Sequence, residues 1–80
     1  MYAIETLPEF LRALESIHPR RFKVISLKVM ALQTNPRPPE CEMIDPETYM
    51  VRAGPYKIAY TIDDTRRRIK VYALEEKPIE

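Results

Sequence analysis

The chain has 80 residues, with 13 basic and 12 acidic side chains for a net charge of +1, and only one Gly, one Cys and one His. That length makes a single domain, 1–80, with a core just large enough to stand alone. One Cys rules out an internal disulfide or a multi-Cys zinc site, one Gly rules out a glycine-rich phosphate loop, and no apolar run reaches the roughly 18 residues of a membrane span.

Tyr2-Ala3-Ile4-Glu5 reads as a short first strand. Thr6, Pro8 and Glu9 then form a helix start, with Thr6 as cap and Glu9 three residues later completing a capping box. Phe10, Leu11, Leu14 and Ile17 make one apolar stripe at helical spacing. Pro19 is welcome only at the start of a helix, so His18-Pro19 opens a second one. It runs from about Arg20 to Gln33, with Phe22, Ile25, Val29 and Leu32 on its inner face. The junction is short enough to make the two helices an antiparallel hairpin. Asn35-Pro36-Arg37-Pro38-Pro39 ends the helical region, because a residue before Pro is driven out of the helical conformation.

Strands follow. Residues 41–44 are a short one, and Asp45-Pro46-Glu47 is a turn. Residues 49–52 are a second, with Ala53-Gly54-Pro55 as a tight connection. Residues 56–62 are the clearest, rich in aromatic and β-branched side chains. Asp63-Asp64-Thr65 is a hairpin turn, and residues 68–74 form the last strand. The order β-α-α-β-β-β-β predicts an α+β fold: an antiparallel sheet with an N-terminal helical hairpin packed on one face.

Alternation along the strands sorts the side chains. Tyr49, Val51, Tyr56, Ile58, Tyr60, Ile62, Ile69, Val71 and Ala73 point toward the helices. Arg52, Lys57, Arg68 and Lys70 share the open face with Met50, Tyr72 and Leu74, and no acid from these strands joins them. Four cations around an aromatic fit a single-stranded RNA or phosphate surface. An ordinary solvated sheet face has the same polar pattern. The low net charge conceals segregation: residues 18–38 hold Arg20, Arg21, Lys23, Lys28 and Arg37 with no acid, and residues 39–50 hold four acids and no base. His18 has no Cys or His near it in the chain, and Cys41 has no basic neighbour. Asp63-Asp64 and Glu75-Glu76 are adjacent pairs, which strand geometry turns apart. No metal or cofactor site is expected.

Leu32-Gln33-Thr34-Asn35-Pro36-Arg37-Pro38-Pro39, then residues 41–44, then Tyr49-Met50-Val51-Arg52-Ala53-Gly54-Pro55-Tyr56-Lys57-Ile58-Ala59-Tyr60-Thr61-Ile62-Asp63-Asp64 closely resemble the RelE/ParE superfamily, the toxins of bacterial and archaeal type II toxin–antitoxin pairs. The family pattern is L-x-x-N-P-R-P, a short strand, then Y-R-V-R-x-G-x-Y-R-I-x-Y-x-I-D-D. The likeness covers residues 2–74 and is most specific over residues 49–64.

In the RelE branch this resemblance implies a cytoplasmic, cofactor-free endoribonuclease that cuts mRNA in the ribosomal A site. The ribose 2′-hydroxyl attacks the adjacent phosphate, and basic residues stabilise the added negative charge. Arg52 and Lys57 fall on matching catalytic positions, and Lys77 stands where the family has an Arg. Arg68, Lys70 and Tyr72 are then RNA-binding. The chain departs from the pattern in three places. Lys57 replaces the usual Arg, Met50 replaces a basic residue, and Glu75-Glu76-Lys77-Pro78-Ile79-Glu80 replaces a tail with His and Tyr. Two carboxylates beside a phosphate site repel substrate. Two alternatives therefore stay open: a ParE-like gyrase inhibitor, and a RelE-fold binding protein without catalysis. All three imply an antitoxin partner in a hetero-oligomer, docked on the basic helix at Arg20, Arg21 and Lys28. The ribosome and mRNA are further partners of the first reading, and a membrane is a partner of none.

Overall fold

Residues 1–76 are described by the structure, a computed structural model of the chain. The elements run β1 (Ala3–Thr6), α1 (Pro8–Glu15), α2 (Pro19–Ala31), β2 (Glu42–Met43), β3 (Thr48–Ala53), β4 (Tyr56–Asp63) and β5 (Arg68–Glu76). Lys77 lies outside the described residues. The α+β class and the element order are as expected, and the strands form one sheet in the order β1-β5-β4-β3-β2. Strands β2 to β5 pair antiparallel, whereas β1 lies parallel to β5. The sheet is therefore mixed. The helices carry the chain from β1 at one edge to β2 at the other, so β1 sits beside the last strand rather than extending the meander.

The capping box does not form. Thr6 is paired with Val71 in the sheet, and the Leu7 N–H donates to the Val71 carbonyl at 2.9 Å. Leu7 becomes the cap residue of α1 and supplies no side-chain bond, while Pro8 and Glu9 fill the first turn. Sheet pairing has overridden the local capping signal. His18 caps α2 instead, its Nδ1 accepting from the Arg20 N–H at 3.2 Å.

The core lies between one sheet face and the helices. Tyr49, Val51, Tyr56, Ile58, Tyr60, Ile62, Ile69 and Val71 are buried from the sheet, against Phe10 and Leu14 of α1 and Ile25, Val29 and Leu32. Leu11 and Phe22, both expected in the core stripes, are 44% and 46% exposed. Leu11 follows Phe10 by a 100° step, and Phe22 sits about 60° round the helix from Ile25 in the first turn of α2. Each lies on the flank of the buried arc.

One irregularity changes the open face. The register of β4 against β5 passes from Tyr60↔Val71 to Ala59↔Ala73, leaving Tyr72 as an extra residue in β5. A bulge inverts the alternation beyond it. Leu74 consequently pairs with Ile58 and packs against the core, and Ala73 leaves it. The expectation of Ala73 in and Leu74 out is reversed, because the alternation assumed an unbroken strand.

Candidate nucleic-acid interface

Two cations meet near the β3–β4 turn. Arg52 and Lys57 are cross-strand partners, so their side chains project from the same face of the sheet. That face is the one turned away from the helices, since Val51, Ala53, Tyr56 and Ile58 beside them are buried. Like charges placed directly opposite are destabilising. Arg52 is exposed, Lys57 is half-buried, and neither joins an ion pair with another described residue. Gly54 makes the turn between their strands with φ +64°, a left-handed conformation that Gly adopts without strain.

The same face continues across β5. Lys57 pairs with Glu75, so the row reads Arg52, Lys57, Glu75. An acid thus does join the cations, contrary to the expectation from alternation. Glu76 points the other way: the Arg21 guanidinium bonds it at 3.4 Å, donates to the Tyr56 hydroxyl at 3.3 Å and lies 5.9 Å from the Tyr56 ring centre. The acidic pair is split between the two faces, and only Glu75 stands beside the cations.

Arg68 and Lys70 are exposed on the open face but belong to a separate group. Lys70 pairs with Thr61 and Glu5, and Arg68 with Asp63 and Ala3. Thr61 is four residues from Lys57 along β4, about 13 Å in a strand. Ala59 and Ala73 fill the gap, with Tyr72 half-buried at the bulge. The four expected cations therefore form two pairs rather than one cluster. Arg68 and Lys70 line a cleft of about 560 Å³ together with Arg66, Glu5, Glu47 and Asp63, so its lining mixes both signs of charge.

Of the three basic residues expected to dock a partner, two are engaged within the chain. Arg21 holds Tyr56 and Glu76, and Lys28 pairs with Glu40 at 2.8 Å, which lowers the Glu40 pKa. Arg20 is exposed and joins no ion pair among the described residues. Among those residues no group of three or more His, Cys, Asp or Glu side chains could hold a metal ion.

A second charged constellation escapes a reading of single strands. Arg37 clasps Asp64 in a two-pronged pair, Nη2 to Oδ2 at 2.8 Å and Nη1 to Oδ1 at 3.2 Å. Its Nε donates to the Tyr49 hydroxyl at 3.1 Å, and the guanidinium lies 5.1 Å from the Tyr49 ring centre. The Tyr2 hydroxyl donates to Asp64 at 2.6 Å, and that of Tyr60 to the Pro36 carbonyl at 2.7 Å. Arg37, with Tyr2, pulls the Asp64 carboxyl down to about 2. The loop of prolines is thereby pinned to the end of the sheet opposite Arg52. The sequence signal was available in the lone Arg between prolines and the second Asp of the hairpin turn, but they are 27 residues apart.

No protein-family model matches the chain, and no curated protein is similar to it. Solved structures are. The RelE–RelB complex of the archaeon Pyrococcus horikoshii contains a chain that superposes with a TM-score of 0.85 at 19% identity, over 99% of this chain and 98% of that one. The isolated RelE toxin of E. coli gives 0.85 at 13% identity, over 100% and 88%. The toxin–antitoxin complex RelBE2 of Mycobacterium tuberculosis gives 0.84 at 19%, over 95% and 98%. The chain therefore has the RelE-like toxin fold.

Proposed function

We propose that this protein is the toxin of a type II toxin–antitoxin pair and acts as a RelE-like, ribosome-dependent mRNA endonuclease. The observation that carries the proposal is the pairing of Arg52 with Lys57 on the open face of the sheet. Two unpaired cations held against each other weaken the sheet, and an anion between them reverses that cost. A phosphodiester is such an anion, and its charge grows as the 2′-hydroxyl attacks. Donors fixed in advance around the developing charge are the largest single source of catalysis in reactions of this kind. The ribosome would supply the positioning that two cations on an open sheet face lack. Arg68, Lys70 and Tyr72, one group further along β5, would then hold flanking RNA.

The antitoxin partner is part of the same proposal. It is supported by the solved complexes of similar fold, in which the neighbour is bound to RelB. The basic helix α2 is the proposed docking face, with Arg20 as a cation that joins no ion pair among the described residues.

Induction of the chain in cells that lack its antitoxin tests the reading. The expected result is growth arrest with mRNA cut on the ribosome, relieved by Arg52→Ala or Lys57→Ala. Arrest with intact mRNA and gyrase-trapped DNA breaks would replace the endonuclease with a gyrase inhibitor. No arrest would leave a binding protein.

A further inference from the structure

Strict alternation from Arg68 and Lys70 would carry Tyr72, Leu74 and Glu76 to the open face and turn Glu75 toward the helices. The bulge at Tyr72 inverts this phase. Glu76 goes beneath the sheet to Arg21, and Glu75 comes up beside Lys57. Bulges next to functional sites commonly re-aim one side chain in this way.

The chemistry of the row lacks one role that only Glu75 fills. Cleavage through a 2′-hydroxyl needs a group to take its proton. Arg52 cannot, because a guanidinium stays protonated in proteins, and a protonated Lys57 has no lone pair to offer. A carboxylate at neutral pH is a proton acceptor. Glu75 is exposed and shares no ion pair with another described residue. A carboxylate beside a phosphate costs binding, and two neighbouring cations in the same row offset that cost. Paired strands hold adjacent Cα atoms about 4.5–5.5 Å apart, so the row spans about 10 Å, the scale of one ribose and its phosphate.

We infer that Glu75 is the general base of the reaction, an assignment that rests on the endonuclease reading above. The 2′-hydroxyl proton passes to the Glu75 carboxylate while the 2′-oxygen bonds to phosphorus. The bond from phosphorus to the 5′-oxygen breaks, and that oxygen leaves with the electron pair and takes a proton from solvent water. Arg52 and Lys57 hold the phosphate oxygens throughout. The products are a 2′,3′-cyclic phosphate and a 5′-hydroxyl.

The test is single-turnover cleavage of a defined mRNA on ribosomes by the full chain at neutral pH. Glu75→Gln should cut about 10²-fold more slowly, with KM little changed. Glu75→Asp should recover part of the rate, which also covers the case of a Gln variant that folds poorly. Glu75→Gln cutting as fast as wild type, or losing efficiency through KM alone, or Glu75→Asp cutting no faster than Glu75→Gln, would overturn the assignment and leave Glu75 as a charge partner of Lys57. A wild-type chain that cuts no mRNA on ribosomes would overturn the endonuclease reading itself and the assignment with it.

Discussion

Two arginines at opposite ends of the sheet are treated in opposite ways. Arg37 has a carboxylate, a phenol and an aromatic ring arranged around it. Arg52 has another cation across from it. The first arrangement engages three of the five guanidinium N–H donors within the chain and holds a loop in place. The second leaves charge unsatisfied and gives up some stability to do so. Consistency between local chemistry and fold is the rule in natural sequences, and departures from it gather at functional sites. On the proposed reading the Arg37 end is scaffold and the Arg52 end is working surface.

The strongest attack on this contrast is to remove the working cations. Arg52→Ala and Lys57→Ala should each lower mRNA cleavage by about 10²–10³-fold without lowering the melting temperature. If activity and melting temperature fell together, the row would be scaffold and the contrast would collapse. At the scaffold end, Tyr60→Phe removes the donor to the Pro36 carbonyl from a buried ring. It should cost about 1–3 kcal/mol in urea unfolding, the penalty of a polar group left without its partner, while cleavage by the folded fraction stays unchanged.

Smaller effects sharpen the comparison. Gly54→Ala forces a side chain into a left-handed backbone at φ +64°, with no atom within 4 Å of the added methyl. The cost is conformational alone, about 1–2 kcal/mol, and chemical denaturation should show it. The least is expected from acid titration of Asp64. Its carboxyl sits at about 2 in the folded chain against an ordinary 3.8, so the folded state favours the charged form. That stabilisation is complete above about pH 4 and disappears as pH falls toward 2. Asp64→Asn should therefore be less stable than wild type at pH 5, with the gap closing by pH 2. A gap independent of pH would mean that shape rather than charge holds the loop.

How much of this was legible in the sequence varies with distance along the chain. Tyr56 to Ile62 announces its buried face by alternation alone, and the pairing of Arg52 with Lys57 follows once Gly54 is read as the turn. The capping box at Thr6 was legible and misleading, because a local rule competes with a strand partner 65 residues away. The bulge at Tyr72 had no signal: Ala73 and Leu74 both suit an inner face, and only the Ile58↔Leu74 pairing decides between them. The fate of Glu75 depended on that decision. The Arg37–Asp64 pair was missed for a different reason, since each residue had an adequate local explanation as part of a basic block or a turn.

The parallel pairing of β1 with β5 also bears on the birth of the molecule. Residues 3–6 pair with residues 68–71, and such non-local pairing carries a large loop-closure cost that slows folding. Strand β1 must therefore wait, unpaired, for β5. No partial chain has a completed sheet. A nascent copy thus gains its native shape only after residue 71 has emerged, so synthesis itself sets a delay before the protein can act.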